Sequence, residues 1–468
     1  MSYLPKDSPF VASISTDLEG EQAKAIEKIA ARFPLAGQAR KGLEQSLSEG
    51  DVDFEQDVKP ALGNELVAAG TNARTFTDDS EDDDFVAAIQ AKDGKALDGL
   101  VEKSRLKEVG EVSGAKLYES KEGDVSAIEG DVVVFGGSRE LVEAALERHD
   151  GDDHLDENAL DDATEDLPED ALVRFYFNAQ ELIANEPGSE DARKVKWVRA
   201  LRTVGFAASF EDDAVNVDFR ANTDGEELSE QELPIAAGTE SPPVIERPGE
   251  IGVGLRDLEQ ILTFGEAAAQ AVDPASFGDY SAGKETIERR LDVDIENDLL
   301  AQLDEVSATF SLAGGFGVRA GVKDEAAFER TLERIGPAAA KFAEGALGES
   351  VGYVKPKRSG GFYALATADR DSIVYGVKDG VLVLANDDAR AGALSSAQTE
   401  MVQGAEGAVS VSFDAQRLAT QVIARLGVAG GLGGAAGGSR LTEPLGDLTG
   451  SVFAEPEGIT GSFTLKFD

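Results

Sequence analysis

His149 and His154 stand five residues apart in the acidic run His149-Asp150-Gly151-Asp152-Asp153-His154, and the chain has no other histidine. Imidazole beside carboxylate can ligate a transition metal. Asp150, Asp152 and Asp153 also begin like a calcium loop, which needs roughly six to eight oxygen ligands. The central glycine and terminal glutamate of an EF-hand do not follow at their positions. His149, Asp150, Asp152, Asp153 and His154 are therefore weak metal candidates, and a solvated loop is the stronger reading. Asp78-Asp79-Ser80-Glu81-Asp82-Asp83-Asp84 is read the same way, as solvent-facing acid with weak cation binding as the alternative.

Other chemistry meets obstacles in the residue types. A Ser-His-Asp arrangement would have to recruit one of the two loop histidines, and no Gly-x-Ser-x-Gly elbow precedes a helix. Absence of cysteine excludes thiolate catalysis, thiolate metal sites and disulfides. Ala313-Gly314-Gly315-Phe316-Gly317 and Gly427 to Gly438 are glycine-rich, but no Gly-Lys-Ser/Thr opens a helix, so neither is a phosphate loop. The second run reads as a flexible linker, matched in the first half by Glu186 to Glu190. Paired acids can run glycoside hydrolysis, and Asp53/Glu55 with Asp294/Glu296 are the pairs to nominate. With 90 Asp and Glu in the chain such pairing discriminates poorly, and Asp-x-Glu before a helix also suits the helix dipole. Trp197, the only tryptophan, reads as partly buried packing. Neither catalytic residues nor a cofactor are expected.

Charge narrows the partners. Forty-four basic residues against 90 acidic ones give a net charge of −46. Nucleic-acid binding needs a basic footprint, and an anionic membrane surface would repel this chain. The acidity is read first as a solubilising surface, with cation binding or steering of a cationic partner behind it. No apolar run approaches the roughly 20 residues of a spanning helix. Met1-Ser2-Tyr3-Leu4-Pro5 also lacks the basic region and apolar core of a signal peptide.

The elements that would position any site occur twice. Phe177-Asn178-Ala179-Gln180-Glu181-Leu182 returns as Phe413-Asp414-Ala415-Gln416-Arg417-Leu418. Val52-Asp53-Phe54-Glu55-Gln56-Asp57 returns as Val293-Asp294-Ile295-Glu296-Asn297-Asp298, Lys92-Asp93 as Lys323-Asp324, and Val132-Val133-Val134 as Val381-Leu382-Val383. Strand pairs Phe206 to Ala221 and Ser451 to Phe467 close the two copies. Echoes kept in one order point to a tandem duplication. The expected organisation is a first repeat over 1–228, a Pro-rich linker over 229–250 and a second repeat over 251–468. At roughly 220 residues each, the copies fall within the usual domain range.

Within the first copy, alternation marks Phe10 to Ser15 as a strand, and Ala23, Ile26, Ile29 and Ala30 mark a helix over Gly20 to Phe33, stopped by Pro34. A second helix is expected over Ala36 to Leu47. Strands follow at Leu66 to Ala69, Phe85 to Ala91, Lys116 to Glu119, Val132 to Phe135 and Leu172 to Phe177. Asp93 and Ser138 are placed to cap the helices after them, which would bury Leu97, Leu100 and Val101, and Leu141, Val142, Ala145 and Leu146. Runs of strands punctuated by helices predict an α+β fold with a mainly antiparallel sheet layered with helices.

Tyr3-Leu4-Pro5-Lys6-Asp7-Ser8-Pro9 before a strand resembles the start of the mature region in the domain-of-unknown-function 3352 family. Asp57-Val58-Lys59-Pro60-Ala61-Leu62-Gly63, Val86 to Asp93, Val318 to Asp324 and Leu445 to Gly450 are similar to that family's caps and turns. The resemblance covers nearly the whole chain and implies a secreted or lipid-anchored, extracytoplasmic protein of the actinobacterial type, without an assigned activity. The expectation is a non-enzymatic binding or scaffold protein holding a small apolar ligand or an envelope protein. That ligand would sit in a cleft between sheet and helices or between the copies. The alternatives are a carboxylate-based hydrolase and a calcium-responsive adhesion module.

Overall fold

A computed structural model describes the chain except residues 35, 38–40, 43–51, 73–83, 105, 121, 122, 124, 186–188, 226, 227, 248, 348, 349, 357–360, 368–371 and 427–439. The acidic run 78–83, most of the expected helix 36–47, the glycine run 427–438 and residues 186–188 therefore lie outside the described residues. Two compact units emerge: residues 1–189, 201–223 and 466–468, and residues 190–200 and 224–465. Both are α+β.

Among the described residues, ten strands build the first unit. They are β1 (Phe10–Ser15), β2 (Glu65–Gly70), β3 (Phe85–Gln90), β4 (Lys107–Val112), β5 (Ala115–Glu119), β6 (Val125–Glu129), β7 (Val132–Gly136), β8 (Val173–Phe177), β9 (Leu201–Glu211) and β10 (Ala214–Thr223). Among the described residues these strands pair antiparallel, in the order β4-β5-β6-β7-β3-β2-β1-β8-β9-β10. The expected strands are present, and β4 and β6 are additional to them. Helix Arg139–His149 covers one face, capped by Ser138 Oγ on the Leu141 N–H at 3.3 Å. It buries Val142, Ala145 and Leu146 against Val86, Leu117 and Val134. Phenylalanines line up across β1, β8, β9 and β10, with Phe175 stacked on Phe206 at 4.8 Å. Such cross-strand pairs help fix register.

In the second unit the strands are β11 (Glu250–Leu255), β12 (Leu303–Ser311), β13 (Phe316–Val322), β14 (Gly352–Val354), β15 (Tyr363–Ala366), β16 (Ser372–Lys378), β17 (Val381–Ala385), β18 (Val409–Asp414), β19 (Leu445–Glu455) and β20 (Gly458–Phe467). Their order, β14-β15-β16-β17-β13-β12-β11-β18-β19-β20, repeats that of the first unit strand for strand. Helix Asp388–Ser395 packs on β13 and β17. At Gly317 a Cβ would lie 2.3 Å from Leu394 Cδ1, so glycine permits that approach. Helix Glu325–Leu347 covers Tyr363, Tyr375 and Val377 through Phe328 and Leu332.

The echoes of the sequence fall on matching places. Asn178 Oδ1 accepts the Glu181 N–H after β8 at 3.1 Å, and Asp414 Oδ1 accepts the Arg417 N–H after β18 at 2.8 Å. Asp53 and Asp294 each cap a single wide helical turn, Phe54–Val58 and Ile295–Leu299. The proline-bearing stretch expected as a linker is packed instead: Leu233, Val244 and Ile245 are buried, and Val244 bridges to Glu400. Proline removes donors, yet the apolar residues among the prolines still gain by leaving water.

Candidate ligand-binding groove

Between β11 and β12 the chain makes a helical hairpin, Leu258–Val272 and Pro274–Leu291. Asp257 starts the first helix by accepting the Gln260 N–H at 3.1 Å. Asp273 ends that helix with its own N–H on the Ala269 carbonyl and starts the next by accepting the Ser276 N–H at 3.0 Å. Pro274 stands at the first helical position, where its missing N–H costs nothing. The Ser276 hydroxyl and N–H hold the Asp273 carboxyl below the ordinary carboxylate range.

Neither helix of the hairpin contains a buried residue. Its apolar side chains converge on a groove of about 460 Å³ instead, lined by Ile261, Leu262, Gly265, Ala269, Val272 and Phe277, with Tyr280 at one side. Leu262 is 42%, Val272 41% and Tyr280 52% exposed. Phe277 and Tyr280 meet at a ring separation of 5.9 Å. Contiguous apolar exposure of this kind marks an interaction site more often than scattered single residues do. The volume lies within the span usual for small-molecule sites.

A polar cluster fixes the groove's edge. Glu266 Oε1 accepts from Tyr280 Oη at 2.9 Å and from Lys284 Nζ at 3.0 Å. Lys284 also donates to Glu296 at 2.6 Å. The Glu296 and Glu266 bonds hold Lys284 charged well above its usual range, although partial burial opposes them. The Glu266 bond likewise raises Tyr280. Gln260 Nε2 ties the first helix to the Leu233 and Glu230 carbonyls at 2.7 and 3.1 Å.

The residues singled out in the sequence are placed elsewhere. His149 stacks on Tyr3 with ring centroids 4.2 Å apart, and its Nδ1 meets Ser2 Oγ at 2.8 Å. His154 Nδ1 lies 3.0 Å from the Leu155 carbonyl, and its backbone bridges to Pro5. Asp150 closes the C-terminus of helix Arg139–His149 through its N–H, and Asp152 and Asp153 are exposed. Among the described residues no group of three or more His, Asp or Glu has metal-holding geometry. Asp53 accepts the Gln56 N–H at 2.9 Å and Asp294 that of Asn297 at 2.9 Å. Glu55 pairs with Lys59 and Glu296 with Lys284. The Asn297 N–H holds Asp294 below the ordinary range, opposite to what a general acid needs. The Gly314-Gly315 turn joins β12 to β13, with the Ser311 N–H on the Gly315 carbonyl at 2.8 Å. Trp197 is half-buried, as expected.

The groove residues themselves carry no unusual chemistry and were not singled out. Their trace in the sequence is the helical spacing of Leu258, Ile261, Leu262, Gly265, Ala269 and Val272 after Asp257. This groove lies between two helices, whereas a ligand was expected between sheet and helices or between the copies.

A sequence profile described as "Protein of unknown function (DUF3352)" matches residues 1–242, and the chain belongs to that family. No curated protein matches it. Among solved structures, crystal form III of TP0453 aligns with 49% of this chain and 81% of its own at 10% identity and a TM-score of 0.28. Crystal form I aligns with 49% and 80% at 11% identity and the same TM-score. Among the described residues no helix is long and apolar enough to cross a membrane.

Proposed function

We propose that this member of the family is a non-catalytic binding protein whose hairpin groove takes up a small apolar molecule. The observation that carries the reading is the convergence of Ile261, Leu262, Ala269, Val272 and Phe277 on one open groove in an element with no buried residue. Removing such surface from water yields about 25 cal/mol per Å². Gly265 supports it further: it lines the groove, and a Cβ built there meets nothing within 4 Å, so the lining leaves open space at this position.

Nile red, an uncharged apolar dye, tests this directly. The wild-type chain should bind it with one-to-one stoichiometry and a strong rise in fluorescence. Gly265→Leu, which fills the groove with a good helix former, should abolish that binding while leaving the fold intact. Absence of dye binding, or binding indifferent to Gly265→Leu, overturns the reading. Native mass spectrometry of protein from its own host, followed by denaturing extraction, would then identify the natural occupant.

Two further parts of the proposal have their own support. Matching strand order and matching caps support descent of both units from one duplicated domain. The resemblance of the family motifs supports a position outside the cytoplasm, which fractionation of the host would test.

A further inference from the structure

We infer that the occupant of the hairpin groove is a cationic amphiphile, a molecule with an apolar chain and an amine or quaternary ammonium head. The inference rests on the apolar reading of the groove and adds the sign of the head group. Two carboxylates, Glu266 and Asp273, line the groove, and no cation stands among its lining residues. Lys284, the nearby cation, is committed to Glu266 and Glu296 at 3.0 and 2.6 Å and neutralises only part of that charge. Asp273 stays ionised because it caps the second helix.

The aromatic pair adds a second, independent attraction. Phe277 and Tyr280 flank the same groove, and an ammonium over an aromatic face is held by the ring quadrupole. Tyr280 donates its hydroxyl proton to Glu266, which enriches the ring electronically and keeps it in place. An anionic head such as a carboxylate would face Glu266 and Asp273 without a free donor. On a chain of net charge −46 the long-range field acts in the same sense.

Dodecyltrimethylammonium and dodecanoate, equal in chain length and used below their micelle concentrations, separate the outcomes by calorimetric titration at about 0.15 M salt. The ammonium should bind about tenfold more tightly. Asp273→Asn keeps a good helix cap and should reduce that preference by about threefold. Glu140→Gln, the same charge change on a helix of the first unit, should leave it unchanged, and Gly265→Leu should remove binding of both probes. Equal affinity for both, lost in Gly265→Leu, overturns the head-group inference and leaves the apolar reading standing. Binding of neither overturns the apolar reading and this inference with it. An ammonium preference indifferent to Asp273→Asn and Gly265→Leu overturns it as general attraction to an acidic surface.

Discussion

Arg390 grips Glu250 with both terminal nitrogens, Nη1 to Oε2 at 2.8 Å and Nη2 to Oε1 at 2.6 Å. The side chains retain only 12% and 10% of their exposure, so this is a largely buried pair. Glu250 opens β11, and Arg390 lies in helix Asp388–Ser395. Gly315 makes the approach feasible, because a Cβ there would sit 2.5 Å from Nη2. Removing Arg390 leaves Glu250 with only the longer Arg247 ion pair, at 3.4 Å, in a poorly hydrated place. Arg390→Met should therefore cost about 3 kcal/mol in denaturant unfolding of the second unit. The double variant Arg390→Met with Glu250→Met should cost less than either single change, because the one charge left over, Arg247, is 30% exposed and can be hydrated.

Leu146 is 1% exposed, in the core of the first unit. Leu146→Ala should lower stability by about 2–5 kcal/mol, through lost burial and the cavity left behind. Leu262→Ala on the hairpin, where 42% of the residue is already exposed, should cost less, about 1 kcal/mol. Similar losses at the two sites would contradict the burial described for the hairpin.

Ser138 and Asp387 cap corresponding helices in the two units. Ser138→Ala and Asp387→Ala should each cost about 1 kcal/mol, read from chemical denaturation. Exchanging the residue types, Ser138→Asp and Asp387→Ser, should be nearly neutral, because both can accept the first-turn N–H.

Glu232 carries a pH signature. The Ser229 N–H foremost, then Lys196 and the Ser229 hydroxyl, lower its pKa to about 2. The folded state binds that proton less readily than the unfolded chain, so the contribution is present above pH 4.5 and fades as pH falls toward 2. Melting temperatures of wild type and Glu232→Gln should differ at pH 5 and converge near pH 2. A constant gap across that range would show that the carboxylate's charge is not what stabilises this turn.

Legibility in the sequence followed the source of each signal. The expected bounds of Phe10–Ser15 are the observed ones, although β1 buries Val11, Ala12 and Ser13 in succession and leaves Ile14 exposed, so burial there does not follow the alternation read in the sequence. Asp93 and Ser138 could be placed because capping is local chemistry: Asp93 accepts the Lys95 N–H at 2.9 Å. Strand β4, Lys-Glu-Val-Gly-Glu-Val, was missed because it ends the sheet, carries charges, and shifts register between Glu108 and Gly110. The candidate site was harder still. Rare residue types drew attention to His149 and His154, yet the fold engages Nδ1 of each, with the Ser2 hydroxyl and the Leu155 carbonyl. Leu262 and Val272 are ordinary residues whose interest lies in remaining exposed, and exposure is a property of the tertiary arrangement.

The hairpin's lack of buried side chains also separates its kinetics from those of the sheet. With so little apolar area to re-expose, its amides should exchange with solvent through local openings at a small free energy. Amides of β12 and β13, paired along both strands, should exchange only through a far larger unfolding. A molecule that binds only the closed hairpin slows the first class by a factor of 1 + [L]/Kd and leaves the second untouched. Occupancy is then recorded as a local change in protection, and the hairpin acts as a reporter on a scaffold that does not register the event.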